Sequence, residues 1–211
     1  MKKLFNFLSS DIIYRIPALL IAITIHEYSH ARVADSLGDP TPRWNGRLTL
    51  NPIAHLDPIG LLMLWLVKFG WARPVPVNPR YFKDPKKGMV LVSLAGPLSN
   101  AFVAFITMLV IKLRLITFGS LLYQILILLL SYNVVLAVFN LIPIPPLDGS
   151  KILSGFLPNK YSYEFSKLEI YGPILLILLI YTGIHRYILW PLVDLLYLTL
   201  NVITDIILNI I

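Results

Sequence analysis

Twenty-four consecutive residues, Gly88 to Ile111, carry no charge. A helix of that length rises about 36 Å, more than the roughly 30 Å of hydrocarbon in a bilayer. Inside lipid every backbone polar group needs an internal partner, so only helices and closed barrels cross. Phe118 to Ile142 is a second uncharged run, interrupted by Asn133 and Asn140. Ile170 to Ile184 and Tyr187 to Ile211 read as a hairpin around His185-Arg186. Residues 11 to 37 read as the first membrane helix, stopped by Gly38-Asp39-Pro40. Composition agrees: hydrophobic residues make up 57% of the 211 and mean hydropathy is +0.75, well above a soluble protein's share.

Between these runs the pattern changes. Ile59 to Val67 is apolar but too short to span, so it reads as a re-entrant helix. Arg47 to Asn51 alternates polar and apolar residues, which predicts a short strand. Residues 71 to 87 hold Pro74, Pro76, Pro79 and Pro85, which predicts an extended ribbon. The expected fold is an all-α polytopic membrane protein with about five spanning helices, a short re-entrant segment and a small β-ribbon or strand element. Residues 150 to 168 read as a polar, basic connection, and residues 1 to 10 as an amphipathic lead-in that is not a removable signal.

Charge sets the topology. The chain has 18 Lys plus Arg against 11 Asp plus Glu. Lys68, Arg73, Arg80, Lys83, Lys86 and Lys87 face a single acid, Asp84, in one loop, which puts that loop in the cytoplasm. Lys151, Lys160 and Lys167 do the same for residues 143 to 168. The first helix then runs inward and the C-terminus ends inside. No basic cluster is interleaved with surface aromatics, so no nucleic-acid partner is expected. Cysteine is absent, so any metal ligand is His, Asp or Glu.

The first helix contains His26-Glu27-Tyr28-Ser29-His30, an H-E-x-x-H motif following the uncharged Ile16 to Ile25. Residues four apart share a helix face, so both imidazoles can meet one zinc and Glu27 can reach a water as general base. A charge at this depth costs roughly 2.5 kcal/mol or more, which argues against a chance match. A site of this type takes three protein ligands. Val33 and Ser36 stand where a metzincin has Gly and His. Glu164 and Glu169 lie in a basic loop. His55 and His185 remain among histidines. Among aspartates Asp148 stands out, because it follows Pro143-Ile144-Pro145-Pro146-Leu147 at a helix break and precedes Gly149, which permits close backbone approach.

The chain resembles the site-2 proteases, the intramembrane zinc metalloproteases of peptidase family M50. The resemblance rests on the H-E-x-x-H motif and on Gly46-Arg47-Leu48-Thr49-Leu50-Asn51-Pro52 with His55 and Asp57-Pro58. Trp71-Ala72-Arg73-Pro74-Val75-Pro76-Val77-Asn78, Ala95-Gly96-Pro97 with Asn100, and Asn140 to Gly149 complete it. It covers roughly residues 15 to 157 and is closest to the compact prokaryotic branch without a PDZ domain. It implies one zinc per chain, held by His26, His30 and Asp148, with Glu27 as base. It also implies transmembrane protein substrates and a place in the plasma membrane of a prokaryote, the site opening toward the cytoplasm. Residues 1–157 would be the metalloprotease core and 158–211 a linker and helical hairpin. Asn140, an uncharged donor at membrane depth, is the candidate oxyanion partner. The 71 to 79 ribbon or the 47 to 51 strand would pair with extended substrate.

Simpler roles suit other residues. Asn51 and Asn100 would satisfy local backbone, Ala95-Gly96-Pro97 would serve packing, His55 would steady its loop through Asp57, and His185 would be interfacial. Asp194, Asn201 and Asp205 share one face of the last helix, which Asn209 extends. That face would pack against protein, in the same chain or as a homo-oligomer. The competing function is a non-proteolytic transporter or scaffold that keeps the zinc site.

Overall fold

The computed structural model describes residues 12–67, 70–183 and 185–210. The expected lead-in with Lys2 and Lys3, and Lys68 of the basic run, lie outside them, as does the side chain of His185. The described chain is mostly helical. Helix α1 spans Ile12–Ser36 and ends where Gly38 takes a φ of +99°, a conformation that favours glycine. Helix α2 is Pro58–Val67, opened by Asp57, whose Oδ1 accepts from Gly60 N at 2.7 Å. Helix α3 is Pro85–Lys112 and α4 is Leu121–Asn140. Asp84 caps α3, accepting from the backbone of Lys86 and Lys87 at 3.1 Å each.

The polar, basic connection expected at 150 to 168 is itself helical. Helix α5 runs Asp148–Phe156 and α6 Asn159–Ser166, followed by a 3-10 turn, Lys167–Tyr171. The Ser154 and Ser162 hydroxyls bond each other at 2.7 Å and join the two helices. Helix α7 is Gly172–Thr182 and α8 is His185–Ile210.

Among the described residues three helices are long and apolar enough to cross a membrane: α3, α4 and the Arg186–Ile210 part of α8. Of the other expected spans, α1 carries Arg15, Glu27, Arg32 and Asp35, and α7 has eleven residues, about 16 Å of rise.

No strand forms among the described residues. Around 47 to 51 the backbone bonds local side chains in place of a neighbouring strand. Thr49 Oγ1 accepts from Asn51 N at 3.1 Å, Asn51 Oδ1 accepts from Ile53 N at 3.1 Å, and His55 Nε2 donates to Thr49 O at 2.8 Å. The 71 to 79 segment is extended, and it meets the neighbouring backbone through an isolated Leu56–Ala72 bridge and Arg73 N to His55 O at 2.9 Å. Pro74 and Pro76 have no N–H with which to continue a ladder.

Helices α3 and α4 pack on each other and on α1, with α5 against α3 and α8 against α4 and α3. The main core joins Ala104 and Met108 of α3, Leu130 and Val134 of α4, and Leu189, Val193 and Leu200 of α8. On α1 the buried residues Ala18, Ala22, His26, His30 and Ala34 recur every four positions. Such a row forms one ridge along a helix, and its alanines let α1 lie close to α3 and α4. Asn201 and Asp205 are engaged within the chain: Lys112 Nζ donates to Asn201 O at 2.8 Å and to Asp205 Oδ1 at 2.7 Å. Asp194 is exposed.

Candidate metal centre

The two histidines of the α1 ridge turn their rings toward α3. His26 Nδ1 donates to Asn100 Oδ1 at 2.6 Å, and His30 Nδ1 donates to Val92 O at 2.7 Å. The direction of the first bond is set by Asn100 itself. Its Nδ2 donates to Ala22 O at 3.1 Å and to Asn133 Oδ1 at 2.7 Å, so its oxygen is the atom left for His26. Asn133 Nδ2 in turn donates to Leu129 O at 2.8 Å. Asn100 and Asn133 are fully buried, and this satisfied network fixes their orientation.

With both Nδ1 atoms protonated, each neutral imidazole presents a lone pair at Nε2. Those two nitrogens lie 3.0 Å apart. Asp148 Oδ2 lies 3.2 Å from His26 Nε2 and 3.1 Å from His30 Nε2. In that neutral form no proton bridges them, and Asp148 Oδ2 is buried without a hydrogen-bond partner. Three electron-rich atoms facing one another at about 3 Å repel unless a cation sits among them. Ligands about 2.0 Å from a tetrahedral ion lie about 3.3 Å apart, close to the separations here. The three residues form a group able to hold a metal.

Gly96 makes the space. A Cβ built there would fall 2.5 Å from His26 Cε1 and 2.5 Å from His30 Nε2. Val92, Gly96 and Asn100 stand four apart on α3, so one stripe of that helix receives both rings. Asp148 arrives from the other direction, at the first turn of α5, where a carboxylate is favoured by the helix N-terminus. The chain folds back sharply to bring it there. A Cβ at Gly149 would meet Leu141 O at 2.3 Å and Ile142 O at 2.5 Å, so only glycine allows this return.

Glu27 is buried beside the histidines, and its Oε2 accepts from Val75 N at 3.2 Å. Val75 carries the single N–H of Pro74-Val75-Pro76, so the ribbon is tied directly to Glu27. Asp39 ties the ribbon's other end, accepting from Asn78 N at 2.7 Å and from Thr41 N at 2.9 Å. Arg47, also buried, donates from Nη2 to Arg73 O. Burial lowers the Arg47 pKa, the Glu27 carboxylate opposes that shift, and Arg73 adds to it.

Of the residues singled out from the sequence, the structure brings His26, His30 and Asp148 together with Glu27 alongside. Asn140 stands at the C-terminal end of α4, where its Nδ2 donates to Leu136 O at 3.1 Å. An amide nitrogen has a second hydrogen. His55 steadies its loop through Thr49 O, while Asp57 caps α2. Asn100 and Gly96, expected from the sequence to serve local backbone and packing, lie against the two imidazoles. Their spacing of four, shared with Val92, is the signal that marked them.

Residues 116–180 match peptidase family M50. The chain is 42% identical over 188 residues to "Putative zinc metalloprotease YwhC" of Bacillus subtilis, covering 86% of each protein. It is 31% identical over 144 residues to "Putative zinc metalloprotease Rip2" of Mycobacterium tuberculosis, covering 65% of this chain and 55% of that one. No solved structure matches the chain. A relative so similar along nearly the whole length, found for a chain whose helices converge on a His-His-Asp group, makes this protein a member of peptidase family M50.

Proposed function

We propose that this protein is an intramembrane zinc metalloprotease that hydrolyses peptide bonds in or near transmembrane segments of other proteins. Its cofactor is zinc. The observation that carries the reading is the convergence of His26 Nε2, His30 Nε2 and Asp148 Oδ2, with both Nδ1 atoms already committed. His26, His30 and Asp148 hold the ion. The chemistry that zinc supplies when bound is Lewis-acid polarisation of the scissile carbonyl and acidification of water.

Glu27 takes a proton from the attacking water and returns it to the leaving amine. Asn140 offers its free N–H to the carbonyl oxygen as negative charge develops there. The catalytic residues all fall within residues 1–157, the proposed core, and the 158–211 segment supports it through α8. In the proposed topology α1 and the α7 segment complete about five spans, α2 re-enters, and the site opens to the cytoplasm through the loop that carries the ribbon. The ribbon at 71 to 79 presents its backbone to an extended substrate. Asn201 and Asp205 are occupied by Lys112, so a second copy would meet the last helix around Asp194.

The test uses purified protein in detergent and a model transmembrane substrate. The expected result is one zinc per chain and cleavage that Glu27→Gln abolishes with zinc retained. Cleavage surviving Glu27→Gln would overturn the mechanism. Zinc without cleavage of any transmembrane substrate would favour a scaffold.

A further inference from the structure

Beyond Glu27 and Asp148, the carboxylate and guanidinium groups buried among the described residues are those of Asp39 and Arg47. Both are spent on the backbone of the ribbon. Asp39 divides its two oxygens: Oδ1 accepts from Thr41 N at 2.9 Å and Oδ2 from Asn78 N at 2.7 Å. One carboxylate thus fastens the far end of the ribbon to the helical turn Thr41–Trp44. At the near end Arg47 Nη2 donates to Arg73 O, and Arg73 N donates to His55 O at 2.9 Å. A charge is more costly to bury than a neutral side chain that could cap the same loop. Two such charges on one short segment point to a demand on its exact position.

Between the two anchors stands Pro74-Val75-Pro76. Proline has no N–H and fixes its own φ, and a residue before proline is biased to extended backbone. The Val75 N–H is therefore the single donor of the tripeptide, on a backbone with little freedom to turn it away. It donates to Glu27 Oε2 at 3.2 Å, across 48 positions of sequence. A glutamate side chain turns about several bonds, each a source of disorder. A general base has to stay within hydrogen-bond reach of the proton it takes. A fixed backbone donor on one oxygen sets the plane of the carboxylate and leaves the other oxygen for the chemistry.

We propose that the ribbon positions the general base: the Val75 N–H holds Glu27 through Oε2 so that Oε1 takes the proton of the attacking water, and Asp39 and Arg47 are positioning residues that keep that N–H in place. The contact persists through turnover, and the ribbon is no latch that has to open before Glu27 can act. This inference rests on the protease reading and adds what orients its base.

The substrate is a leucine-rich synthetic transmembrane peptide with a central Asn-Pro helix break, cleaved by the full chain in detergent. Replacing Val75 by its α-hydroxy acid turns the amide into an ester, which deletes the N–H and keeps the side chain. A hydrogen bond to a charged group corresponds to roughly 10- to 100-fold. The ester should lower kcat by about that factor, with KM little changed and zinc retained. Asp39→Ala and Arg47→Met should lower kcat in the same way. Hydrogen exchange reads the contact without cleavage, because the 74–76 segment holds one amide hydrogen. That hydrogen should be protected in wild type and in Glu27→Gln, which keeps an acceptor oxygen. It should exchange at least about tenfold faster in Glu27→Ala. Should the Asp39 and Arg47 variants not fold, the ester and the exchange measurements still decide. An unchanged kcat in the ester would overturn the inference, and so would a raised kcat, which would mark the ribbon as a latch over the base. Protection that follows this pattern in a protein that cleaves no transmembrane peptide would instead remove the protease reading and leave the Val75–Glu27 contact standing.

Discussion

Replacing Gly96 with alanine separates packing from chemistry. The added Cβ would lie 2.5 Å from His26 Cε1, 2.5 Å from His30 Nε2 and 2.6 Å from His30 Cε1. Carbon atoms rest at about 3.5 Å, so the rings or α3 must yield by about 1 Å. Helix α3 cannot withdraw freely. His30 holds it at Val92 O and His26 holds it at Asn100, one turn to either side. The rings must therefore turn, and metal–ligand distances tolerate only about 0.2 Å. Overpacking costs about 1–3 kcal/mol, and alanine returns up to about 1 kcal/mol of helix propensity. The helices should survive while the centre does not. Gly96→Ala is expected to purify with unchanged circular dichroism, to hold zinc at about a tenth of stoichiometry or less, and to lose cleavage by at least about a hundredfold. Elemental analysis and a cleavage assay read both. A variant with one zinc per chain and wild-type cleavage would refute the close approach of α3 to the imidazoles.

Asn100→Leu removes the acceptor for His26 Nδ1 and the donors to Ala22 O and Asn133 Oδ1. Zinc affinity should fall about 10- to 100-fold in chelator competition, with an added stability loss of about 1–3 kcal/mol per orphaned group. Asp84 titrates in a stated direction. Backbone N–H groups, that of Lys87 first, hold its carboxyl below the usual range. Its stabilisation is present above the unfolded value of about 3.9 and disappears as pH falls through the folded one. Thermal melts of wild type and Asp84→Asn should therefore differ at pH 7 and converge at strongly acidic pH. Lys112→Met releases Asn201 and Asp205 and should destabilise the packing of α8 by about 0.2–1 kcal/mol, because Asp205 is largely exposed; a scan of detergent stability reads it.

The sequence carried the long helices because uncharged runs of that length have few alternatives in lipid. It carried the His-His-Asp group too, since His26 and His30 are local in sequence and Asp148 stands at an evident helix break. The strand near 47 to 51 was misjudged because alternation alone cannot tell a ladder from a loop whose side chains bond their own backbone. Thr49, Asn51 and His55 do the latter. Asn100 was read as a local residue because its partners are remote: His26 is 74 positions away and Asn133 is 33. Only the packing of three helices brings them together.

The ridge of Ala18, Ala22, His26, His30 and Ala34 couples helix packing to the site. Alanine sets how closely α1 lies against its neighbours, and the same row supplies two nitrogens of the His-His-Asp group. Helix register and coordination are therefore one variable. A slide of α1 by a single residue's rise, about 1.5 Å, is several times the roughly 0.2 Å that a metal–ligand bond tolerates. If the His-His-Asp group holds the ion, a displacement of α1 against α3 would reach the site without any contact with it.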